Sequence, residues 1–158
     1  MTSVRRDLGF TLLELTIVLV ISGLTMSIAG LSFARYFNKS AARSAAQVFA
    51  QDLTQARMFA VRSREPVVIR FFETSLWYEV ETQNTATEVA RRRFAGNADI
   101  ELSAVTLGMG GDSLVFNTRG LADLSTAGGP LGTATFSSGA ITYTVSFNSM
   151  GASKIEES

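Results

Sequence analysis

The sequence predicts an α+β protein in which one long N-terminal helix packs on an antiparallel β-sheet domain. Three observations support this fold class. A run of twenty uncharged, mostly apolar residues occupies Leu15–Ala34. Apolar residues at helical spacings of three and four then continue towards Pro66. Beyond this proline, segments rich in β-branched and aromatic residues alternate apolar and polar positions, as β-strands do.

The uncharged run forms the first part of the predicted helix. At about 1.5 Å per residue, it is long enough to cross the roughly 30 Å hydrocarbon core of a bilayer. Arg5 and Arg6 precede it in a short leader, an arrangement that also occurs in secretory signal peptides. A signal peptide, however, has a shorter apolar run, a small-x-small cleavage site and no use for a carboxylate such as Glu14. We therefore favour a membrane-spanning helix.

The second part of the predicted helix is amphipathic. Its apolar residues recur on one face: Ala42, Ala45, Phe49, Leu53, Ala56 and Ala60. Neither Pro nor Gly interrupts residues 31–65, and Pro66 then ends the pattern because the residue before a proline avoids the α region. We expect one helix over Phe10–Arg64, with Gly23 and Gly30 as candidate break points, and we expect its apolar face to cover the sheet.

Seven segments beyond the proline show strand patterns. In chain order they are Val67–Phe72, Leu76–Thr82, Glu88–Ala95, Ile100–Leu107, Leu114–Thr118, Thr133–Ser137 and Ala140–Phe147. The last alternates most clearly, since Ile141, Tyr143, Val145 and Phe147 share one face. Glu73–Ser75 suits a short hairpin connection between the first two strands. The sequence shows no internal repeat.

The composition excludes several classes of function. Fourteen basic residues balance fourteen acidic ones, so the net charge is zero, which argues against a strongly basic nucleic-acid binder. The chain has neither Cys nor His, which excludes a thiolate nucleophile, a histidine-based catalytic triad and zinc held by these residues. Lys39 and Lys154 are its only lysines. We predict that the protein is not an enzyme and has no catalytic residues, no metal site, no cofactor and no small-molecule substrate.

The most informative motif is GFTLLEL at Gly9–Leu15, directly after the basic leader. A glycine, a phenylalanine and a nearby glutamate open an apolar helix, and in this the chain resembles the type IV pilin and pseudopilin superfamily. The resemblance implies that a membrane-embedded prepilin peptidase cleaves between Gly9 and Phe10. It also implies that the peptidase then methylates the new amino terminus of Phe10. A glycine suits the cleavage position because it permits close approach of the backbone.

The same resemblance implies how the chain is placed in the cell. It would cross the inner membrane once, with a cytoplasmic N-terminus and a periplasmic globular domain, before assembly into a fibre. The predicted segments are a cleaved leader over 1–9, a transmembrane and assembly helix over 10–34, its amphipathic continuation over 35–65 and an antiparallel β domain over 66–158.

Glu14 is the candidate assembly residue. A carboxylate in an apolar membrane segment costs roughly 2.5–3.5 kcal/mol at a helix centre and less near an end, which makes it a functional candidate. The resemblance implies that Glu14 pairs with the positive amino terminus of Phe10 on a neighbouring subunit. Two pairs of small residues suit close packing of helices in lipid: Gly23 with Ser27, and Gly30 with Ala34.

The later segments resemble the minor pseudopilin H and FimT group within this superfamily. The residues that carry the match are Phe49, Leu53, Ala56, Arg57, Ala60, Val61, Pro66 and Val67, with a looser match in VFNTRG at 115–120 and VSFNSMG at 145–151. Members of this group that bind DNA end in a basic tail, whereas this chain ends in the acidic Lys154–Glu157. Arg91–Arg93 is the only run of like charges, and we interpret it as a strand edge or turn protected against pairing with other chains. We expect no nucleic-acid partner.

The resemblance therefore favours a structural function. The leading hypothesis is a minor pseudopilin of a type II secretion system, a subunit of the periplasmic pseudopilus that helps to move folded proteins through the outer membrane. Its partners would be the prepilin peptidase and other pseudopilins. The close alternative is a minor type IV pilin, similar to FimT, that primes pilus assembly. A membrane-anchored periplasmic enzyme and a DNA-binding pilin are further alternatives, which the composition and the acidic C-terminus disfavour.

Overall fold

The computed structural model describes residues 10–96, 98 and 100–158, without the side chains of residues 28–32. The chain divides into two compact units, one that ends at Tyr36 and one that extends over Phe37–Ser158. Gly9, the predicted cleavage position, lies outside the described residues. The predicted α+β class is confirmed, because a long helix is followed by strands that pair antiparallel.

The helix α1 extends over Leu12–Ser63. It begins later than predicted because Thr11 is its N-cap, and the Thr11 hydroxyl oxygen accepts a hydrogen bond of 3.2 Å from the backbone amide three residues further on. It ends before Arg64, whose φ of 58° is the left-handed conformation that commonly terminates helices. The helix continues through Gly23 and Gly30, so neither candidate break point interrupts it.

The strands that follow are β1 (Val67–Phe72), β2 (Trp77–Thr82), β3 (Glu88–Arg93), β4 (Ala104–Leu107), β5 (Ser113–Phe116), β6 (Leu131–Ser138), β7 (Ile141–Asn148) and β8 (Ser153–Glu157). They form two four-stranded antiparallel sheets, one in the order β3-β2-β1-β5 and the other in the order β4-β6-β7-β8. The predicted strand segments did not reveal this division. It depends on pairings between segments that are distant along the chain, such as β1 with β5.

The sequence predicts seven of these strands and misses the eighth. β1 agrees at both ends, and the predicted Glu73–Ser75 connection is a single turn of 3₁₀ helix. On β7, Tyr143 and its two alternating apolar successors are buried as predicted, although Ile141 is only partly buried. β8 was missed because SKIEE lacks apolar alternation, and it forms by pairing with β7.

The predicted apolar face of α1 is confirmed. All six of its residues are fully buried: Ala42, Ala45, Phe49, Leu53, Ala56 and Ala60. Phe49 lies at the centre of the core, with its ring centroid 5.4 to 6.1 Å from four other aromatic rings: Phe71, Tyr78, Phe136 and Phe147. These rings belong to β1, β2, β6 and β7, so α1 closes one core that both sheets share.

Candidate functional site

The N-terminal end of α1 carries the predicted processing and assembly residues. Phe10 precedes the helix and is 83% exposed. Thr11 and Glu14 have the spacing of a capping box, and the structure contains the threonine half of it. The Glu14 carboxylate lies in the first turn, where the helix dipole favours a negative charge, and it forms no ion pair with any described residue. The predicted pairing with another subunit stays a prediction.

Large apolar side chains are exposed along the first turns of α1. Each is at least half exposed: Leu12, Leu13, Leu15, Ile17, Val18, Leu19, Val20, Ile21, Leu24 and Met26. Apolar surface of this extent indicates contact with lipid or with other proteins. Over the residues that the structure describes, no helix has the length and apolar character needed to cross a membrane. The transmembrane role of residues 10–34 stays a prediction.

The first of the two small-residue pairs lies on an open face of α1. A Cβ atom added at Gly23 would meet no other atom within 4 Å, and the Ser27 hydroxyl donates to the Gly23 carbonyl oxygen at 2.9 Å. In the second pair, Ala34 is exposed. The surroundings of Gly30 lie outside the described side chains. Close packing of helices at these positions stays a prediction.

A buried carboxylate joins α1 to the first sheet. Asp52 is only 2% exposed and accepts three hydrogen bonds. The Tyr78 hydroxyl donates to its Oδ2 at 2.7 Å, and the Arg92 guanidinium donates to Oδ2 and Oδ1 at 2.9 and 3.0 Å. This two-point contact is the strong geometry for an arginine and a carboxylate. It fixes the edge strand β3 to the helix.

The electrostatics of this cluster keep its two donors, Tyr78 and Arg92, in their hydrogen-bonding forms. Burial, followed by the nearby charge of Asp52, raises the pKa of Tyr78 well above its usual value, so the phenol stays a donor. The hydrogen bond to Asp52 raises the pKa of Arg92, so the guanidinium stays charged. The Asp52 side chain therefore faces a permanent positive charge and a permanent hydroxyl donor.

The structure adds to the interpretation of Arg91–Arg93. β3 is an edge strand and all three arginines are exposed, as predicted, but two of them also bind carboxylates. Arg92 binds the buried Asp52, and Arg91 pairs with Glu79 at 3.2 Å while its guanidinium lies 5.4 Å from the Trp77 ring centroid. A signal for Asp52 is present in the sequence, because this carboxylate interrupts the apolar face of α1 directly before a buried leucine.

Two turns in the globular unit have the same construction. They follow β5 and β7 and share the pattern Phe-Asn-x-x-Gly, at 116–120 and at 147–151. In the first turn the Asn117 side-chain oxygen accepts from two backbone amides at 2.9 and 3.1 Å, and in the second Asn148 does so at 3.0 Å for both. Both glycines have φ of 73°. This is a local repeat of only a few residues, too short to appear as an internal repeat of the sequence.

Both turns contact Arg57 of α1. A Cβ atom on Gly120 would lie 3.0 Å from the Arg57 Cγ and 2.8 Å from a Val61 methyl group. Only glycine, which has no Cβ, avoids these close contacts. From the second turn, the Met150 carbonyl oxygen accepts from the Arg57 guanidinium at 2.8 Å. A backbone hydrogen bond of 2.7 Å from Ala122 to Ser149 connects the two turns. The two turns and the C-terminal end of α1 are therefore connected by hydrogen bonds and by direct packing.

The C-terminal strand is tied to the helix by a charged contact. The Glu157 carboxylate accepts from the Lys39 ammonium at 2.6 Å and from the Tyr143 hydroxyl at 2.9 Å. These two hydrogen bonds lower the pKa of Glu157. One carboxylate of the acidic C-terminus therefore has a structural role that its composition did not indicate.

The fold is similar to those of solved minor pilins and pseudopilins. The crystal structure of the minor pilin FimU of Pseudomonas aeruginosa is 14% identical and matches with a TM-score of 0.56, over 77% of this chain and 92% of that one. The minor pseudopilin EpsH from the type 2 secretion system of Vibrio cholerae is 12% identical and has a TM-score of 0.51, over 73% and 96% of the two chains. Both likenesses concern the fold alone. No curated protein matches the chain in sequence.

Two family models match the sequence. The prokaryotic N-terminal methylation motif matches residues 4–30, which include GFTLLEL. The model of type II transport protein GspH matches residues 45–151, which is more than half of the chain. This match includes Arg57 and both Phe-Asn-x-x-Gly turns. The chain belongs to the type II transport protein GspH family, within the pilin and pseudopilin superfamily that its N-terminal motif predicts.

Proposed function

We propose that this protein is a minor pseudopilin, a structural subunit without enzyme activity in the periplasmic pseudopilus of a type II secretion system. The observation that carries the proposal is the match of the GspH family model to residues 45–151, together with the methylation motif at 4–30. A minor type IV pilin that primes pilus assembly is the second candidate, because the fold is also similar to that of the minor pilin FimU. The two candidates share processing and fibre assembly and differ in the machine that they serve.

In this proposal the N-terminal segment has three successive tasks. Residues 1–9 direct the chain to the prepilin peptidase, which cleaves after Gly9 and methylates Phe10. Residues 10–34 then anchor the chain in the inner membrane, with the globular domain in the periplasm. The exposed apolar side chains at the start of α1 and the uncharged run Leu15–Ala34 support the anchor. On extraction from the membrane, the same surface packs against the helices of other subunits.

Replacement of Gly9 by valine is expected to leave the leader attached. A branched Cβ prevents the close backbone approach that a protease needs at the scissile bond. Mass spectrometry of the membrane fraction measures this, with a mature chain that begins at N-methylated Phe10 in the wild type and an uncleaved chain in the variant. Gly23→Val is the matched control, because a Cβ atom there meets nothing within 4 Å, and it should be cleaved normally. A mature chain that begins after Ala29 or Ala34 would identify the segment as a secretory signal peptide instead.

We propose that Glu14 pairs in the fibre with the amino terminus of Phe10 on an adjacent subunit. Cleavage creates a positive amino group on Phe10 in an apolar environment, where an unpaired charge is costly. The exposed Glu14 carboxylate forms no ion pair with a described cation, so it is available to pair with this amino group. Pairing lowers the cost of burying both charges and sets the register between subunits. In this superfamily the subunit at the very tip typically lacks the acid, so a chain that retains Glu14 belongs beneath the tip or in the shaft.

Replacement of Glu14 by alanine is expected to leave cleavage unchanged. It should reduce incorporation into the fibre by about tenfold or more, because losing the pairing with the amino terminus costs roughly 1.4 kcal/mol or more of binding free energy. The measurement is co-purification of the full-length variant with the other fibre subunits, in a strain that lacks the chromosomal copy. Glu14→Asp, which keeps the charge, should retain part of the incorporation. Undiminished co-purification of Glu14→Ala would rule out the pairing.

The same strain decides between the two candidate functions. The wild-type chain should restore secretion of folded proteins from the periplasm, and Glu14→Ala should not. Restoration of surface pili, with secretion unaffected in the deletion strain, would instead assign the chain to a type IV pilus.

A further inference from the structure

An exposed apolar patch surrounds Arg57 at the C-terminal end of α1. Its four members are between 39% and 61% exposed: Met58, Val61, Leu121 and Met150. They lie together because Gly120 packs directly on Val61 and Arg57, and because the Met150 carbonyl oxygen accepts from the Arg57 guanidinium. Met58 is three residues before Val61 and so occupies the same face of the helix. We call this patch and the arginines around it the Arg57 surface.

The arginines of this surface are not neutralised within the described chain. Three of them are exposed, and none forms an ion pair with a described carboxylate: Arg57, Arg62, which directly follows Val61, and Arg119, which directly precedes Gly120. On the first sheet Arg70, Arg91 and Arg92 bind carboxylates, whereas Arg93 has no described carboxylate partner. The apolar patch is therefore accompanied by positive charge that no described carboxylate neutralises, although the net charge of the chain is zero.

The Arg57 surface is also preformed. Two side-chain amides, Asn117 and Asn148, hold the turns that present Leu121 and Met150, and a backbone hydrogen bond connects these turns. A surface that is already ordered loses little conformational entropy when a partner binds. Methionine and arginine are also enriched in protein interfaces, where apolar side chains form the centre and charged groups form the rim.

We propose that the Arg57 surface docks an acidic segment, carrying apolar side chains, of a neighbouring subunit in the fibre. The proposal rests on the proposed function and adds to it the face and the chemistry of one subunit contact. A protein segment fits better than a nucleic acid because the patch centre is aliphatic, whereas single-stranded nucleic acids require aromatic side chains for stacking. The complementary partner supplies carboxylates for these arginines and apolar groups for Met58, Val61, Leu121 and Met150.

Site-specific photo-crosslinking in cells tests this proposal on the full chain. A benzoyl-phenylalanine probe replaces Leu121, which contributes only backbone hydrogen bonds to its turn. We expect a crosslink to one fibre subunit, mapped by mass spectrometry to a segment with both acidic and apolar residues. The same probe at Arg93, an exposed position on β3 without a described carboxylate partner, is the control. A crosslink to nucleic acid, or no fibre-subunit crosslink above the Arg93 control, would overturn the proposal.

Charge reversal provides the second arm of the test. Arg119→Glu is expected to reduce co-purification with the crosslinked subunit about tenfold, and a carboxylate-to-lysine change in the mapped segment should restore it. Arg93→Glu should leave co-purification unchanged, and equal losses in both variants would contradict the proposal. Failure of the proposed function can be distinguished from failure of the docking proposal. If the chain serves a type IV pilus, the same crosslink and the same rescue are expected, but the crosslinked partner is a pilin. Absence of any fibre partner for the wild-type chain would instead contradict the proposed function itself.

Discussion

Replacement of Leu53 by aspartate is expected to unfold the globular unit. The Leu53 side chain is fully buried on the face of α1 that closes the core, between Phe49 and Ala56. The change removes a large apolar group from the core, which costs about 2–5 kcal/mol, and also buries a carboxylate without a partner. A domain of this size is stable by only about 5–15 kcal/mol, so the two costs together remove most or all of its stability.

Thermal unfolding followed by circular dichroism measures this effect on a chain shortened to Tyr36–Ser158, which omits the exposed apolar part of α1. The wild-type shortened chain should unfold cooperatively. Gln55→Asp introduces the same charge at an exposed position two residues away and is expected to change the melting temperature little. If Leu53→Asp melts at the wild-type temperature, the assignment of the buried face is wrong.

Replacement of Asp52 by alanine is expected to destabilise the globular unit by about 2–4 kcal/mol. The change leaves the buried Tyr78 hydroxyl without its acceptor and Arg92 without its counter-charge. Removal of one partner of a fully buried ion pair costs about 3–5 kcal/mol. The Arg92 side chain is 43% exposed, so water replaces part of the lost contact and the expected cost is lower.

Urea unfolding of the same shortened chain provides the measurement. Tyr78→Phe is the matched variant, since it deletes one hydrogen bond to Asp52 and keeps the ring in the core, and we expect a loss of about 1 kcal/mol. The double variant Asp52→Ala/Tyr78→Phe should lose less stability than the sum of the losses in the two single variants, because both changes remove the same hydrogen bond. A loss below about 1 kcal/mol for Asp52→Ala would show that the cluster contributes little to stability.

Periodicity predicted the features that depend on a single segment of chain. The face of α1 from Ala42 to Ala60 was predicted because its spacing of three and four follows directly from helix geometry, whatever the helix packs against. β1 and β7 were predicted because alternation of apolar and polar residues is sufficient to place one face in the core. β8 has no such alternation, and its formation depends on pairing with β7 and on the contact between Glu157 and Lys39.

Features that combine distant segments were not predictable from the residues alone. Arg92 looked like one of three equivalent surface charges, because nothing near it in the sequence indicates that Asp52 of α1 lies within hydrogen-bonding distance. The two Phe-Asn-x-x-Gly turns are separate motifs in the sequence, and only the structure shows that both contact Arg57. The apolar patch beside these turns could not be predicted from the sequence either, because its members come from α1 and from both turns.

The sequence by itself determined the family of this protein, its fold class and its candidate processing and assembly residues. These are encoded locally: GFTLLEL is one contiguous motif, and the apolar face of α1 is a property of one helix. Only the tertiary structure decided how the strands divide between two sheets, how Asp52 is neutralised and which exposed residues form the Arg57 surface. The physical reason is that hydrogen bonds, ion pairs and surface patches depend on distances in space, and the residues concerned are separated by tens of positions along the chain.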